Sequence, residues 1–482
     1  MAQPAEPPPS AQPTVPPPWW RLGLTPRFWV LLVPTGLVAG MLATGLKELL
    51  RAVQHAAWSY PGGSFVDAVG KSGDVRRVAV LAAAGVLAGL GWWALERVAG
   101  TRGGNLSDAV WSGEGRLPLV PTFVTATLSE TVIALGASLG REAPPKEASA
   151  AVAGWLAGRA GLSSEERRLL VACAAGAAFA AIYNIPFGGA VFAVEVLLGS
   201  LSLPLVVPAL AASWIATAIS WTVLPDRAYY PALPTYPASA SLVVWAVVAG
   251  PVIGLGAAGY VWLIGRVQAH KASGRWLLVA LPAGFATLGA VAVAYPQLLG
   301  NGRDAAEQVF LGGYGLPALA ALMALKPLVT GLCLESGASG GLFTPTTSYG
   351  ALAGALLGGL WALAWPGAPG GACALVGATA MLGAAMNGPV SAVVLMVELT
   401  HHLTSLLVPS LAALVGATLV TRALGVSSIY AARLPAREPG RWAGSDRWQG
   451  TAVGAPGGAW PSLRASLGRR RQPPADPSPG PS

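Results

Sequence analysis

The sequence predicts an all-α membrane protein that crosses the bilayer many times and is a duplication of two halves of roughly 200 residues. Three observations carry this. Of the 482 residues 54% are hydrophobic and 11% charged, whereas a soluble domain has about 25% charged residues to dress its surface. From Ser336 to Val397 no Asp, Glu, Lys, Arg or His occurs, and 196–225, 237–265 and 276–300 are equally free of them. These runs are continuously apolar rather than alternating, which selects helices over barrel strands. Finally, Gly136-Ala-Ser-Leu-Gly-Arg-Glu-Ala-Pro144 aligns without gaps to Gly337-Ala-Ser-Gly-Gly-Leu-Phe-Thr-Pro345 at an offset of 201 residues. Asn184-Ile-Pro186 running to Glu195 likewise matches Asn387-Gly-Pro389 running to Glu398, at an offset of 203.

In chain order, residues 1–22 are Pro-rich and read as a disordered tail. A transmembrane domain over 23–432 follows, its first repeat at about 28–225 and its second at about 237–432. The opening apolar run, Phe28–Leu46, is too long for a signal-peptide core and has no small-residue cleavage site after it, so it reads as a retained helix. Residues 433–482 read as a disordered basic tail. The net charge of +9 is spread over loops and tails with no aromatic-interleaved basic platform, which argues against nucleic acid. It serves topology better. Arg21 and Arg27 before the first helix, and eight arginines from Arg433 to Arg471 after the last, place both termini in the cytoplasm. The 25 Arg against 5 Lys suggest a GC-rich bacterial genome, hence the inner (plasma) membrane.

The duplicated motifs interrupt apolar runs with Gly and Pro, and paired broken helices in two halves point to a transport site near the midplane. In the first pair a Gly-rich bend leads into a helix with Pro144 or Pro345 in its first turn, where a missing N–H costs nothing. Such a start offers free N–H groups and the positive end of a helix dipole, so two converging starts suit an anion. Glu142 stands at the head of the first start, where a carboxylate would take the place of a bound anion and swing away once protonated; the plainer reading is a helix-capping acid paired with Arg141 or Lys146. Lys146, one of five lysines, follows four residues later, in the favourable acid-before-base order. An intramembrane enzyme would need HExxH, GxSxG or paired intrahelical aspartates, and none is present. Cys173, Cys333 and Cys373 each stand alone in apolar stretches and read as packed small hydrophobes, so neither metal nor cofactor is expected. His401-His402 reads as a helix-end pair rather than a metal site.

Gly140-Arg-Glu-Ala-Pro144 resembles the G(K/R)EGP motif of the CLC family of chloride channels and proton-coupled anion exchangers. Lys326, Thr330, Ser336-Gly337 and Gly340-Gly341-Leu-Phe343-Thr-Pro345 resemble its second-half signature, which ends in GxFxP. The Asn-x-Pro to Glu segments match the helix pair after each motif, and Tyr430 stands where the family has its pore tyrosine. The resemblance spans about 28–435 and implies an inverted repeat of tilted, partly spanning helices, assembled as a homodimer with one anion path per subunit. It implies Glu142 as the gating glutamate and an anion site made by Gly103, Gly341, Leu342, Phe343, Tyr430 and Arg141. The transported ion would be a monovalent anion, chloride first, exchanged for protons or conducted passively. Fluoride, nitrate or bicarbonate transport, or a non-transporting scaffold, are the alternatives.

Several positions depart from the family. Gly103 stands at the anion-coordinating serine of GSGIP, Ala143 replaces a glycine, and Lys146 replaces an apolar residue. The proton-relaying inner glutamate aligns to Val196, so Glu130 and Glu335 are candidate substitutes for proton coupling, against the plainer reading of each as a buried hydrogen-bonded acid; Glu195 and Lys146 are candidate modulators, Lys146 favouring ionised Glu142 if it pairs with it. The final 50 residues are too short for the paired cytoplasmic nucleotide-binding (CBS) modules of some members.

Overall fold

The computed structural model describes residues 24–434 except 61, 112–113 and 402–403. The two expected tails lie outside the described residues, save for 433 and 434. Within them every regular element is helical. The first half comprises α1 (Pro26–Trp58), α2 (Phe65–Lys71), α3 (Asp74–Ala99), α4 (Leu106–Trp111), α5 (Leu119–Ala134), α6 (Ala143–Arg159), α7 (Ser164–Tyr183), α8 (Pro186–Val191, continued by one π-helical turn to Leu197) and α9 (Leu203–Ser220). The second comprises α10 (Ala240–Ala269), α11 (Leu277–Ala294), α12 (Arg303–Phe310), α13 (Leu316–Glu335), α14 (Phe343–Ala362), α15 (Gly370–Met386), α16 (Pro389–Thr400) and α17 (Leu407–Ala423). Seven are long and apolar enough to cross a membrane, while α5, α15 and α16 are shorter apolar helices.

Local chemistry sets the ends. Thr25 caps α1, accepting from the Phe28 N–H with Pro26 in the first turn. Its N–H and hydroxyl both donate to Glu166 at 2.8 Å, and Glu166 closes a capping box with Ser163 at the start of α7. Asn184 and Asn387 end α7 and α15 in the left-handed conformation, at φ +58° and +54°. Asn tolerates that region where most residues do not. Gly136 and Gly337 match in the same way, at φ +118° and +110°.

Packing between helices uses small residues, as expected where lipid offers no hydrophobic drive to associate. Gly36 and Gly40 of α1 lie against Ala212 and Ala216 of α9, and Gly250 and Gly254 of α10 lie against Ala413 and Ala417 of α17, the matching pair in the second half. Gly350 and Gly354 of α14 meet Gly377 and Cys373 of α15. Helix α3 packs on α11 across the halves, where Gly85 and Gly89 sit on the carbonyls of Leu281 and Leu277.

The halves are inverted. Helix α6 descends to Arg159, beside the α7 start that holds Thr25. The chain after α14 ends beside the α10 start, where the Ser241 hydroxyl donates to the Trp365 carbonyl. Residues of α12 and the C-terminal part of α1 share one cavity on that second side. The two helices therefore run from a common midpoint toward opposite faces.

Candidate functional site

That midpoint is an antiparallel bridge between the two Gly-rich bends: the Gly140 N–H donates to Gly341 O and the Gly341 N–H to Gly140 O, both at 2.7 Å. The bridge brings the α6 and α14 starts together. Neither helix has a side-chain cap.

Glu142, fully buried, lies between these starts. Oε1 accepts the Phe343 N–H at 2.8 Å, and Oε2 accepts the Tyr183 hydroxyl at 3.1 Å and the Thr344 hydroxyl at 3.3 Å. The Tyr183 and Thr344 hydroxyls are themselves 2.8 Å apart. A carboxylate thus occupies an anion seat built from one backbone amide and two hydroxyls, each such bond to a charged group being worth about 1.5–3 kcal/mol. A β-carbon at Gly140 or Gly341 would collide with this carboxylate, which accounts for glycine at both positions. Glu142 lines neither of the cavities on its two sides.

On one side a cavity of about 600 Å³ reaches Arg141 and Tyr183. Lys47, Arg51, Arg141, Arg227 and Arg303 line it against one acid, Glu307, which pairs with Arg303 at 3.3 Å. The Arg141 guanidinium lies over Tyr229 and Tyr183, 5.3 and 5.7 Å from the ring centroids. Burial raises the Glu307 carboxyl above its ordinary range, and Arg303 pulls it partly back. On the other side a cavity of about 30 Å³ is lined by Ala143, Lys146, Glu147, Gly341, Tyr430 and Arg433 among others.

The expected site residues are only partly brought together. Phe343 gives its N–H to Glu142, but the Gly341 N–H is engaged by Gly140 and is not open to an ion. Leu342 lies at the same bend, as the N-cap of α14. Gly103 does not line this smaller cavity: at its φ of +105° a β-carbon would meet Thr122, and Asn105, Leu106 and Ser107 line the cavity instead. Tyr430 does face that cavity, its hydroxyl 3.8 Å from the Met386 sulfur.

Lys146 forms no ion pair with Glu142: Nζ lies against Phe192, Phe179 and Tyr430, while the Glu142 side chain turns toward α14. Glu195 is engaged elsewhere, accepting the Val390 and Ser391 N–H groups at the α16 start, and Glu398 does the same for Phe187 and Gly188 at α8. This reciprocal pair staples the two repeats together. Glu335 is exposed at the end of α13. Glu130 is fully buried in α5, and neither carboxyl oxygen has a hydrogen-bond partner. Tyr183 and Thr344 were missed from the sequence, though each adjoins a motif residue, Asn184 and Phe343. His401 caps the C-terminus of α16 at φ +57°, and His402 lies outside the described residues.

A duplicated, inverted bundle with a buried carboxylate at two converging helix starts defines a CLC-type membrane protein. The family model for voltage gated chloride channels matches residues 84–422, and the chain belongs to that family. A ClcB-like protein of Ralstonia nicotianae is 31% identical over 415 residues, covering 82% of this chain and 94% of that one. The voltage-gated ClC-type chloride channel ClcB of Citrobacter koseri is 28% identical over 407 residues, covering 82% and 96%. Among solved structures, a slow cyanobacterial Cl⁻/H⁺ antiporter superposes with a TM-score of 0.72 at 21% identity, covering 85% of this chain and 97% of that one. A CLC-type fluoride/proton antiporter gives 0.64 at 20% identity, covering 84% and 97%. These two likenesses concern the fold alone.

Proposed function

We propose that the protein moves a small monovalent anion, chloride first, across the bacterial plasma membrane, with Glu142 as the gate. The observation that carries this is the fully buried Glu142 carboxylate, held by Phe343, Tyr183 and Thr344 between a basic outer cavity and a smaller inner one. A tethered carboxylate in an anion seat competes with a free anion for the same donors. Protonation removes its charge, weakens its hold and opens the seat. With both termini cytoplasmic, the cavity holding Arg141 faces outward and the one holding Tyr430 faces the cytoplasm. The outer cations concentrate anions at the mouth without binding them at depth. The working unit is a homodimer with one path per subunit, and the chemistry is transport rather than catalysis.

The test is chloride efflux from proteoliposomes, recorded with proton movement, for the wild type and Glu142→Gln. The expected result is wild-type efflux that rises as pH falls and mutant efflux that no longer responds to pH. Uphill proton flow driven by chloride, lost in the mutant, makes the protein an exchanger, and efflux without it makes a passive path. The same assay with fluoride, nitrate and bicarbonate ranks the anions. Absence of efflux for every anion overturns the proposal in favour of a membrane scaffold.

A further inference from the structure

The inner cavity carries charge that the gate does not use. We infer that Lys146, assisted by Arg433, supplies a full positive charge to an anion held on the Tyr430 side of Glu142. This inference rests on the transport reading and adds to it which side chains hold the ion and how strongly.

Lys146 lies one helical turn beyond Glu142 on α6 and is 4% exposed. Among the described residues its ammonium has no ion pair. It sits 4.7 Å from the Phe192 ring centroid, 5.1 Å from Phe179 and 5.5 Å from Tyr430. Three aromatic faces offset part of the cost of burying an ammonium, but they give its N–H groups no strong acceptor. A buried charge left in that state calls for a counter-ion.

The cavity beside it supplies the place. Its volume, about 30 Å³, exceeds the roughly 10–15 Å³ that one water needs and leaves room for one small ion. Arg433 approaches from the other wall. Its Nη1 donates to Gly340 O at 3.2 Å, and its Nε is buried without a partner. Glu147 is the one acid among the lining residues and forms no ion pair with either cation. Two cations face one acid in the lining, and Glu142, the other acid near Lys146, has both carboxylate oxygens engaged by Phe343, Tyr183 and Thr344; Asn105, Ser107 and Tyr430 complete the wall.

A seat with a full charge holds its ion more firmly than one made of dipoles, and an ion held firmly leaves slowly. The wild type should therefore bind chloride well and turn over slowly.

The first test is a crystal of the full chain soaked in bromide, which should show an anomalous peak within hydrogen-bonding reach of the Lys146 Nζ. The second is calorimetric titration of chloride into purified protein. Lys146→Met should weaken binding at least tenfold and Arg433→Gln three- to tenfold, while Lys146→Arg stays within threefold of the wild type. Should Lys146→Met fail to fold, the bromide peak and Arg433→Gln decide. Bromide bound only elsewhere, or wild-type affinity in the folded variants, overturns the inference. A wild type without efflux in liposomes sinks the transport reading instead, so the two failures are distinct.

Discussion

Tyr183→Phe removes one oxygen and little else. The ring keeps its edge contacts with Phe179 and Tyr229 and its tilted contact with Phe343, at centroid distances of 5.3, 4.7 and 5.8 Å, so packing should survive. What disappears is the donor 3.1 Å from Glu142 Oε2, one of three that hold the carboxylate. Hydrogen bonds to charged groups contribute about 1.5–3 kcal/mol, and at this length the lower end applies. About 1.4 kcal/mol is a factor of ten, so the carboxylate should leave its seat about tenfold more often. Chloride efflux from proteoliposomes at neutral pH should rise by about that factor, with Glu142→Gln as the ceiling. The Thr344 hydroxyl, at 3.3 Å, keeps the effect from reaching that ceiling. Efflux within twofold of the wild type from correctly folded Tyr183→Phe, or a decrease, would falsify the view that these donors hold the gate shut.

Three further outcomes follow from the same geometry. Gly341→Ala puts a methyl group where the Glu142 carboxylate lies, so its efflux should lose pH dependence whatever its amplitude; a wild-type pH profile would count against the steric argument. Glu195→Ala and Glu398→Ala each strip a carboxylate from two N–H groups at a helix start, and should destabilise by similar amounts, about 2 kcal/mol, read as lower melting temperatures in detergent. A large difference between them would argue against the symmetric staple. Because burial raises the Glu307 carboxyl, acidifying the outer side neutralises it at a higher pH than an ordinary carboxylate and leaves the five cations of the mouth unopposed. Anion uptake should rise through that step and Glu307→Gln should abolish it. The size is about twofold, from a unit charge about 10 Å from the path in water, and an unchanged step in the variant would assign it to another group.

The bends at Gly136 and Gly337 and the left-handed Asn184 and Asn387 were legible as repeated motifs, because backbone conformation selects residue type locally. Glu142 was legible too, as an acid at a helix start inside an apolar run. Gly341 was misjudged because its N–H pairs with Gly140, 201 residues away, a partner that alignment within one half cannot supply. Glu195 looked like a candidate for proton transfer until the α16 start appeared in front of it. Lys146 invited pairing with Glu142 by spacing alone, yet the two side chains go different ways, one to aromatic rings and the other to α14.

The sequence by itself determined the medium, the helical class, the duplication, the family and the acid at the first helix start, since each depends on composition or on residues close in the chain. Only the tertiary structure decided which donors reach Glu142, which amides are already engaged, and where the cations of the two cavities face. Those depend on side chains from both repeats meeting at one point, and inversion across some 200 residues brings them together with no trace in local spacing.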